Sequence, residues 1–304
     1  MTKKIKIFGA TPSPYTQKIL AAFRYRHIPF MIYNGDIAKK ITKLGIELPK
    51  PVLLPTILLP NDNGALVATT DSTPIIRRLE NEFTERKIVP DDPALAFINY
   101  LLEDFGDEWV TKYMFHYRWY FEEDADVAGA ILPLVDIAIN TSNETLTEYK
   151  KIVTERQKGR LWVVGSNDRT ADFIDSSYKR FLNLMEDHLL NSPFLFGTKP
   201  SSSDFSFYGQ LTQLVGFDPT PRKIAYEYSL RTVAWVDVLD DLSGHDAENT
   251  SWTKLEDSPE SLKNLLKEVG KMYIPALLAN SEALIKGDET WEMKIDNAVW
   301  KQKT

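Results

Sequence analysis

The 304 residues include no cysteine. That excludes disulfides, thiolate metal sites and every cysteine nucleophile. Histidine is scarce too. His27, His116, His188 and His245 stand far apart, and no two have metal-ligand spacing, which argues against a zinc centre and any other metal site. No apolar run approaches the roughly 20 residues that a bilayer-spanning helix needs. The basic start (Lys3, Lys4, Lys6) is not followed by a signal-like apolar segment, so the expectation is a cytoplasmic protein with no membrane partner. Positive charge is in deficit, with 36 basic against 43 acidic residues and a formal charge of −7. A phosphate-tracking surface needs the opposite balance, which argues against a nucleic-acid partner. G-x-S-x-G elbows, P-loops and G-x-G-x-x-G turns are absent. The chemistry left over must use a hydroxyl, a carboxylate or a thiol brought by a ligand.

What is present suffices for a sizeable core: 43% hydrophobic and 12% aromatic residues. The length suggests two domains. The first ninety residues carry both strand and helix signals. "KIKIF" (4–8) alternates and reads as a strand, and "GATPS" turns the chain. From Pro14 to about Arg26, Tyr15, Ile19, Leu20 and Phe23 fall at helical spacing. "PFMIY" (29–33) is a second strand, so this part forms a compact βαβ unit. Residues 34–53 are irregular, with a short helix expected near 37–44. "PTILL" (55–59) and "ALVAT" (65–69) are strands joined by the tight turn "PNDNG". A helix follows, with Ser72 expected as its cap and Pro74 in its first turn.

After "PDDP" (90–93) strand signals vanish. This predicts a first domain over 1–88 and an all-helical domain over 89–304. Leu95, Ile98, Leu102, Phe105 and Trp109 repeat at spacings of three and four, continued by Tyr113, Tyr117 and Tyr120. Residues 147–165 read as helical in part. Clear helices follow over Ile174–Leu189, "SSSDFSFYGQLTQLVG" and 231–242. Ser201 with Asp204 resembles a capping box, and Gly209 in mid-helix points to close helix packing. A helical region over 258–285 contains Pro275, which is expected to kink or break it. The last fifteen residues, with Trp291 and Trp300, have no clean period and read as an extended tail that could cover a cleft.

Ser13, followed by Pro14 at the opening of the first helix, has two meanings. It is a normal N-cap. It is also a hydroxyl beside the free N–H groups and positive dipole end of a helix, where an anion is favoured.

The whole pattern resembles the soluble glutathione transferase superfamily: a β-α-β-β-β-α type domain of thioredoxin-like fold, then a helical-bundle domain. Three motifs carry the resemblance. "FGATPSPYTQKIL" looks like the serine-type motif of the plant tau and phi classes and of many bacterial members. "LLPTILL" with "TTDSTPII" looks like the cis-proline strand and the acidic-Ser glutathione site. "PFLFGTKPSSSDFSFYGQL" looks like the capping-box helix of the second domain. The resemblance implies that Ser13 stabilises a glutathione thiolate, with Thr11 as the backup hydroxyl and Tyr15 packed into the core. It implies a cis Leu54–Pro55 bond, with the Leu54 backbone pairing with the cysteinyl part of glutathione. Ser72 would hold the γ-glutamyl carboxylate and Asp71 its ammonium group. One departure stands out: Leu53 occupies a position that is often basic in the family, leaving Lys39, Lys40, Lys43 and Lys50 as candidates for the glycyl carboxylate. Trp109, Tyr113, His116, Tyr117 and Tyr120 are expected to border the cleft for a small hydrophobic electrophile, against the alternative of core packing. A homodimer is implied. The leading expectation is a glutathione transferase. The rivals are a non-catalytic ligand-binding or protein-interaction member and a glutathione-dependent isomerase or lyase.

Overall fold

The computed structural model describes residues 4–304. The chain opens with β1 (Ile5–Phe8), α1 (Pro14–Tyr25), β2 (Phe30–Tyr33), α2 (Ile37–Thr42), β3 (Thr56–Pro60), β4 (Leu66–Thr69) and α3 (Ser72–Glu82). The strands form one mixed sheet in the order β2-β1-β3-β4. β1 and β2 are parallel, and β3 runs antiparallel to both of its neighbours. This is a thioredoxin-like domain, with the element order read from the sequence and the fold that the resemblance implies. Side chains alternate across the sheet. Ile7, Ile57 and Leu59 face α1 and α3, whereas Phe8 and Leu58 face Ile37 and Ile41 of α2. The cap of α3 differs from expectation. Asp71, at φ 74°, accepts from the Thr73 N–H at 3.2 Å, and Ser72 is already the first helical residue.

The helical part begins at α4 (Pro93–Asp104). One π-form stretch (Phe105–Val110) carries it into α5 (Thr111–Tyr120). α6 (Glu122–Asp136) and α7 (Asn143–Lys158) form a hairpin, and α8 (Ala171–Leu189), α9 (Ser202–Gly216), α10 (Pro219–Tyr228) and α11 (Leu230–Asp240) complete the bundle with α12 (Glu260–Lys286). At the start of α9 the Ser201 N–H donates to the Asp204 carboxylate at 2.8 Å, as the capping-box spacing predicts. Asp204 also accepts from the Leu195 N–H at 2.8 Å, and its burial pushes its pKa up to about 6.

The end of the chain departs from expectation at two places. Pro275 does not break α12, which runs through it, because a buried face including Leu265, Val269, Met272 and Ala276 holds the helix to the bundle. The last residues are no loose tail. β5 (Thr290–Ile295) and β6 (Ala298–Lys303) form an antiparallel hairpin, so the second part is not all helical. The alternation that marks strands is there: Trp291, Ile295, Ala298 and Trp300 are buried between exposed neighbours. The Trp300 ring lies 5.2 Å from Trp109 and 5.5 Å from Phe173, over Gly165, where a Cβ would lie 2.6 Å from it. The hairpin therefore extends the bundle core.

α1 joins the two parts. Gly209 of α9 lets the helices touch: a Cβ there would lie 2.4 Å from the Pro14 carbonyl oxygen. One turn further on, Lys18 is fully buried between Glu103 at 2.7 Å and Asp107 at 2.6 Å. Burial works against the lysine's charge. The two carboxylates outweigh it and hold the lysine pKa above its ordinary value.

Candidate functional site at the sheet edge

Strand register brings the candidate residues to one end of the sheet. Phe8, the last residue of β1, pairs with Thr56 at the start of β3, and Ile57 pairs with Thr69 at the end of β4. The chain leaves β1 into the turn bearing Ser13. It enters β3 from Leu54–Pro55 and leaves β4 into Asp71–Ser72. Three segments far apart in sequence thus share one edge.

Ser13 is the N-cap of α1. Its Oγ accepts from the Thr16 N–H at 3.3 Å, and the residue is half-buried. The two meanings of this serine are therefore compatible. A hydroxyl that accepts from the helix still has its own hydrogen to donate. Thr11 is exposed, and its carbonyl accepts from the Gln17 and Gln213 side-chain amides at 3.1 and 3.3 Å. Tyr15 donates to the Asp107 carbonyl at 2.8 Å, and burial first, then the Glu108 and Asp107 charges, push its hydroxyl pKa up. It belongs to the contact between the two parts of the chain.

Leu54–Pro55 is cis, and so is Lys50–Pro51, which the sequence did not signal. Among the described residues, the Leu54 N–H and C=O have no hydrogen-bond partner, while the preceding Leu53 carbonyl accepts from the Thr56 hydroxyl at 2.7 Å. An extended ligand backbone can pair with such a free donor and acceptor. Asp71 is exposed and Ser72 is buried to within 4% at the opening of α3. Lys39, Lys40, Lys43 and Lys50 are all exposed, and the Lys40 ammonium is turned to the Asn34 carbonyl.

The aromatic stripe expected at the cleft lies elsewhere. Trp109, Tyr113, His116 and Tyr117 are all at most 1% exposed and sit inside the helical bundle. The Tyr113 hydroxyl meets the Ser177 hydroxyl at 2.7 Å, and Tyr117 donates to Asp175 at 2.7 Å. His116 Nδ1 meets the Ser166 hydroxyl at 2.7 Å, and burial lowers its pKa to about 4. Tyr120, half-buried, donates to Asp168 at 2.9 Å. Periodicity found an apolar stripe, and that stripe faces the bundle core, the alternative already open. The opposite side of the same helices keeps solvent access at Asp104, Glu108, Thr111 and Phe115, spaced by four, three and four. Thr111 lies 3.5 Å from the hydroxyl of Tyr15, two residues after Ser13, so this side looks toward the sheet edge. Partial desolvation, then the neighbouring Asp107 charge, pushes the Glu108 pKa up although the residue keeps its solvent access. Beside it, burial brings Lys112 down to about 8, and its ammonium donates to Gln302 at 2.9 Å. The sequence signal for this side was there, as the polar complement of the stripe.

α6, also missed as a border, reaches the same end of the sheet. Gly35, just after β2, faces the carbonyl oxygens of Asp136 and Ile137 at the end of that helix. A surface depression of about 350 Å³ between Asn167–Arg169 and the terminal hairpin includes none of the residues at this edge.

A thioredoxin-like sheet carrying a helix-capping serine, a cis-proline strand and an acidic-Ser helix start at one edge, followed by a helical bundle, defines a fold class. Residues 7–87 match the family model of the glutathione S-transferase N-terminal domain. The N-terminal domain thus belongs to the glutathione S-transferase superfamily. The fold as a whole is shared with the beta-etherase LigF from Sphingobium sp. strain SYK-6, at 16% identity and a TM-score of 0.52, over 88% of this chain and 100% of that one. Also similar are a glutathione S-transferase from Rhodospirillum rubrum F11 (13% identity, TM-score 0.48, 86% of this chain and 99% of that one) and the tau-class enzyme of mango, Mangifera indica (17%, 0.45, 87% and 97%). No curated protein matches the sequence. Among the described residues, no helix is long and apolar enough to cross a membrane.

Proposed function

We propose that the chain is a glutathione transferase-like enzyme, with a glutathione-binding domain over 1–88 and a substrate-bordering helical domain over 89–304. Glutathione is a co-substrate and lies along the sheet edge. Its cysteinyl backbone pairs with the N–H and C=O of Leu54, next to Pro55. Its γ-glutamyl carboxylate is held by Ser72 and the free N–H groups that open α3, and its ammonium group by Asp71. The sulfur faces Ser13. A free thiol has a pKa of about 8.5, so little of it is ionised at neutral pH. Hydrogen bonding from the Ser13 hydroxyl, with the dipole end of α1 behind it, favours the thiolate. The thiolate then attacks an electrophilic carbon of a small apolar substrate. A sulfur–carbon bond forms, and the displaced electron pair leaves with the departing group or, in an addition, is protonated from water.

The observation that carries this assignment is the free backbone pair of Leu54 at the same sheet edge as a serine hydroxyl with a hydrogen to donate. Calorimetry with glutathione, together with turnover of a dinitrophenyl halide, tests it in wild type and Ser13→Ala. Expected is micromolar to millimolar binding in both and a loss of turnover on the order of 10²-fold in the variant, the scale for one transition-state donor. No binding by the wild type rejects the assignment. Binding without turnover across a panel of electrophiles makes the chain a ligand-binding member. Full turnover by Ser13→Ala reduces Ser13 to a helix cap.

A further inference from the structure

The turn that carries Ser13 is gripped by the other part of the chain. Arg118, at the end of α5, is 4% exposed. Its guanidinium forks onto Asp218, with Nε at 2.8 and 3.1 Å from the two carboxylate oxygens and Nη2 at 2.9 Å. Nη2 also donates to the Gln213 side-chain carbonyl at 2.8 Å. The remaining arm, Nη1, donates to the Pro12 carbonyl at 3.3 Å, one residue before Ser13. Gln213 turns its amide NH2 to the Thr11 carbonyl, also at 3.3 Å. Two successive carbonyls of the turn are thus held by two side chains from the helical bundle.

The grip is itself braced. Asp218 is fully buried, and Arg118 stacks 4.4 Å over the Phe217 ring. Asp124, at the start of α6, accepts from the Thr220 N–H at 2.9 Å and from its hydroxyl, which fixes the start of α10 next to Asp218. A planar, always-charged guanidinium with five donors can satisfy all these directions at once, and a lysine cannot. On folding grounds alone, a buried ion pair of this kind is weak evidence for stability. Its free arm points at the one turn where the placement of a hydroxyl matters.

We propose that Arg118 and Gln213 are positioning residues: a clamp from the helical bundle that sets where the Ser13 hydroxyl points, making thiol ionisation in the first domain depend on side chains of the second. This rests on the assignment of Ser13 given above. A hydrogen bond to sulfur is directional, so a turn that loses its two anchors from the bundle, and keeps only Gln17 of its own helix, lets the serine swing out of line while the cap of α1 can still form.

The test uses the full-length chain. Arg118→Lys keeps a cation beside Asp218 and removes the arm to Pro12. Gln213→Glu keeps an acceptor for Arg118 and removes the helical bundle's donor to Thr11, leaving only Gln17 of α1 on that carbonyl. In each variant, and in Ser13→Ala, the ionisation of bound glutathione is followed by thiolate absorbance against pH, with the dissociation constant from calorimetry. Expected is a rise of about one unit in the bound thiol pKa in Arg118→Lys, tenfold less thiolate below both values, with the dissociation constant changed less than about threefold. Combining Arg118→Lys with Ser13→Ala is expected to add nothing beyond Ser13→Ala, because coupled residues are non-additive. A merely structural role moves the melting temperature and leaves the thiol pKa alone. If Arg118→Lys does not fold, Gln213→Glu carries the same measurement. A wild-type thiol that is acidified, and stays so in the folded variants, overturns the clamp alone. So does a full additive loss in the double variant. A wild-type thiol that is not acidified, or one unaffected by Ser13→Ala, overturns the assignment of Ser13 and the clamp with it.

Discussion

Replacing Lys18 by methionine tests how the two parts of the chain are held together. Lys18 is the only cation within reach of Asp107 among the described contacts, and it also pairs with Glu103. Removing one partner of a buried ion pair costs about 3–5 kcal/mol, because the other charge is left uncompensated. Here the remaining carboxylates keep some help. Arg77 pairs with Glu103 at 2.5 Å, Ser202 donates to it at 2.7 Å, and Ser206 donates to Asp107 at 2.9 Å. The expected loss is therefore near the lower end, about 3 kcal/mol. It is measured by urea unfolding with tryptophan fluorescence, at constant m. The pH dependence fixes the cause. In the wild type, burial works against the Glu103 charge, but Lys18 and Arg77 hold its pKa below the ordinary range, whereas burial already raises Asp107. Without Lys18 the Asp107 carboxyl rises further. A raised carboxyl binds a proton in the folded state before the unfolded chain does, so the variant gains stability as the pH falls from 7 toward 4. The gap to wild type should narrow on acidification. A loss under about 1 kcal/mol, the range of an exposed pair, or a gap that widens in acid, refutes the assignment of Lys18 as the interdomain charge centre.

Gly209→Ala should destabilise by up to about 2 kcal/mol: overpacking costs roughly 1–3 kcal/mol, less the roughly 1 kcal/mol gain in helix propensity. A variant more stable than wild type in thermal unfolding contradicts the close approach of α9 to Pro14. His116 is held neutral by burial, with its pKa lowered to about 4. A lowered histidine pKa contributes stability that is present above the unfolded value of about 6.5 and lost as the pH falls from there to 4, roughly 3 kcal/mol in all. NMR titration of the His116 ring checks it directly, and His116→Gln should show a flatter acid limb; a ring pKa near 6.5 contradicts the burial. Trp300→Ala removes a fully buried indole and should cost about 3–5 kcal/mol in the same cooperative transition as the bundle. A change under 1 kcal/mol means the hairpin is a separate flap.

Most of the first domain was legible because its signals are local. "KIKIF" alternates, Asn61–Gly64 makes the turn between β3 and β4, and Ser13–Pro14 opens a helix. Those signals placed the strands and α1 within a residue or two of their observed ends. What the sequence hid depends on which partner a face meets. The stripe from Trp109 to Tyr117 is periodic whether it faces a core or a cleft, and only tertiary contacts decide. Lys18 reads as a solvent-facing residue until Glu103 and Asp107, some ninety positions later, close around it. Ser72 has the cap-forming side chain, but Asp71 takes the cap because the turn after β4 places it one position ahead of the helix. The terminal hairpin is only twelve strand residues with two aromatic anchors, and a bundle context lowers the prior for strands. Arg118 was invisible for the same reason as Lys18: its partners Pro12, Gln213 and Asp218 lie about a hundred residues away on either side.

The ionisation of glutathione bound to the wild-type chain tests the central claim most directly. Thiolate absorbance, titrated at saturating protein, is expected to give a pKa clearly below that of a free thiol, about 8.5, and to return to that value in Ser13→Ala. A bound thiol that ionises like the free one in the wild-type protein contradicts the role given to the Ser13 hydroxyl.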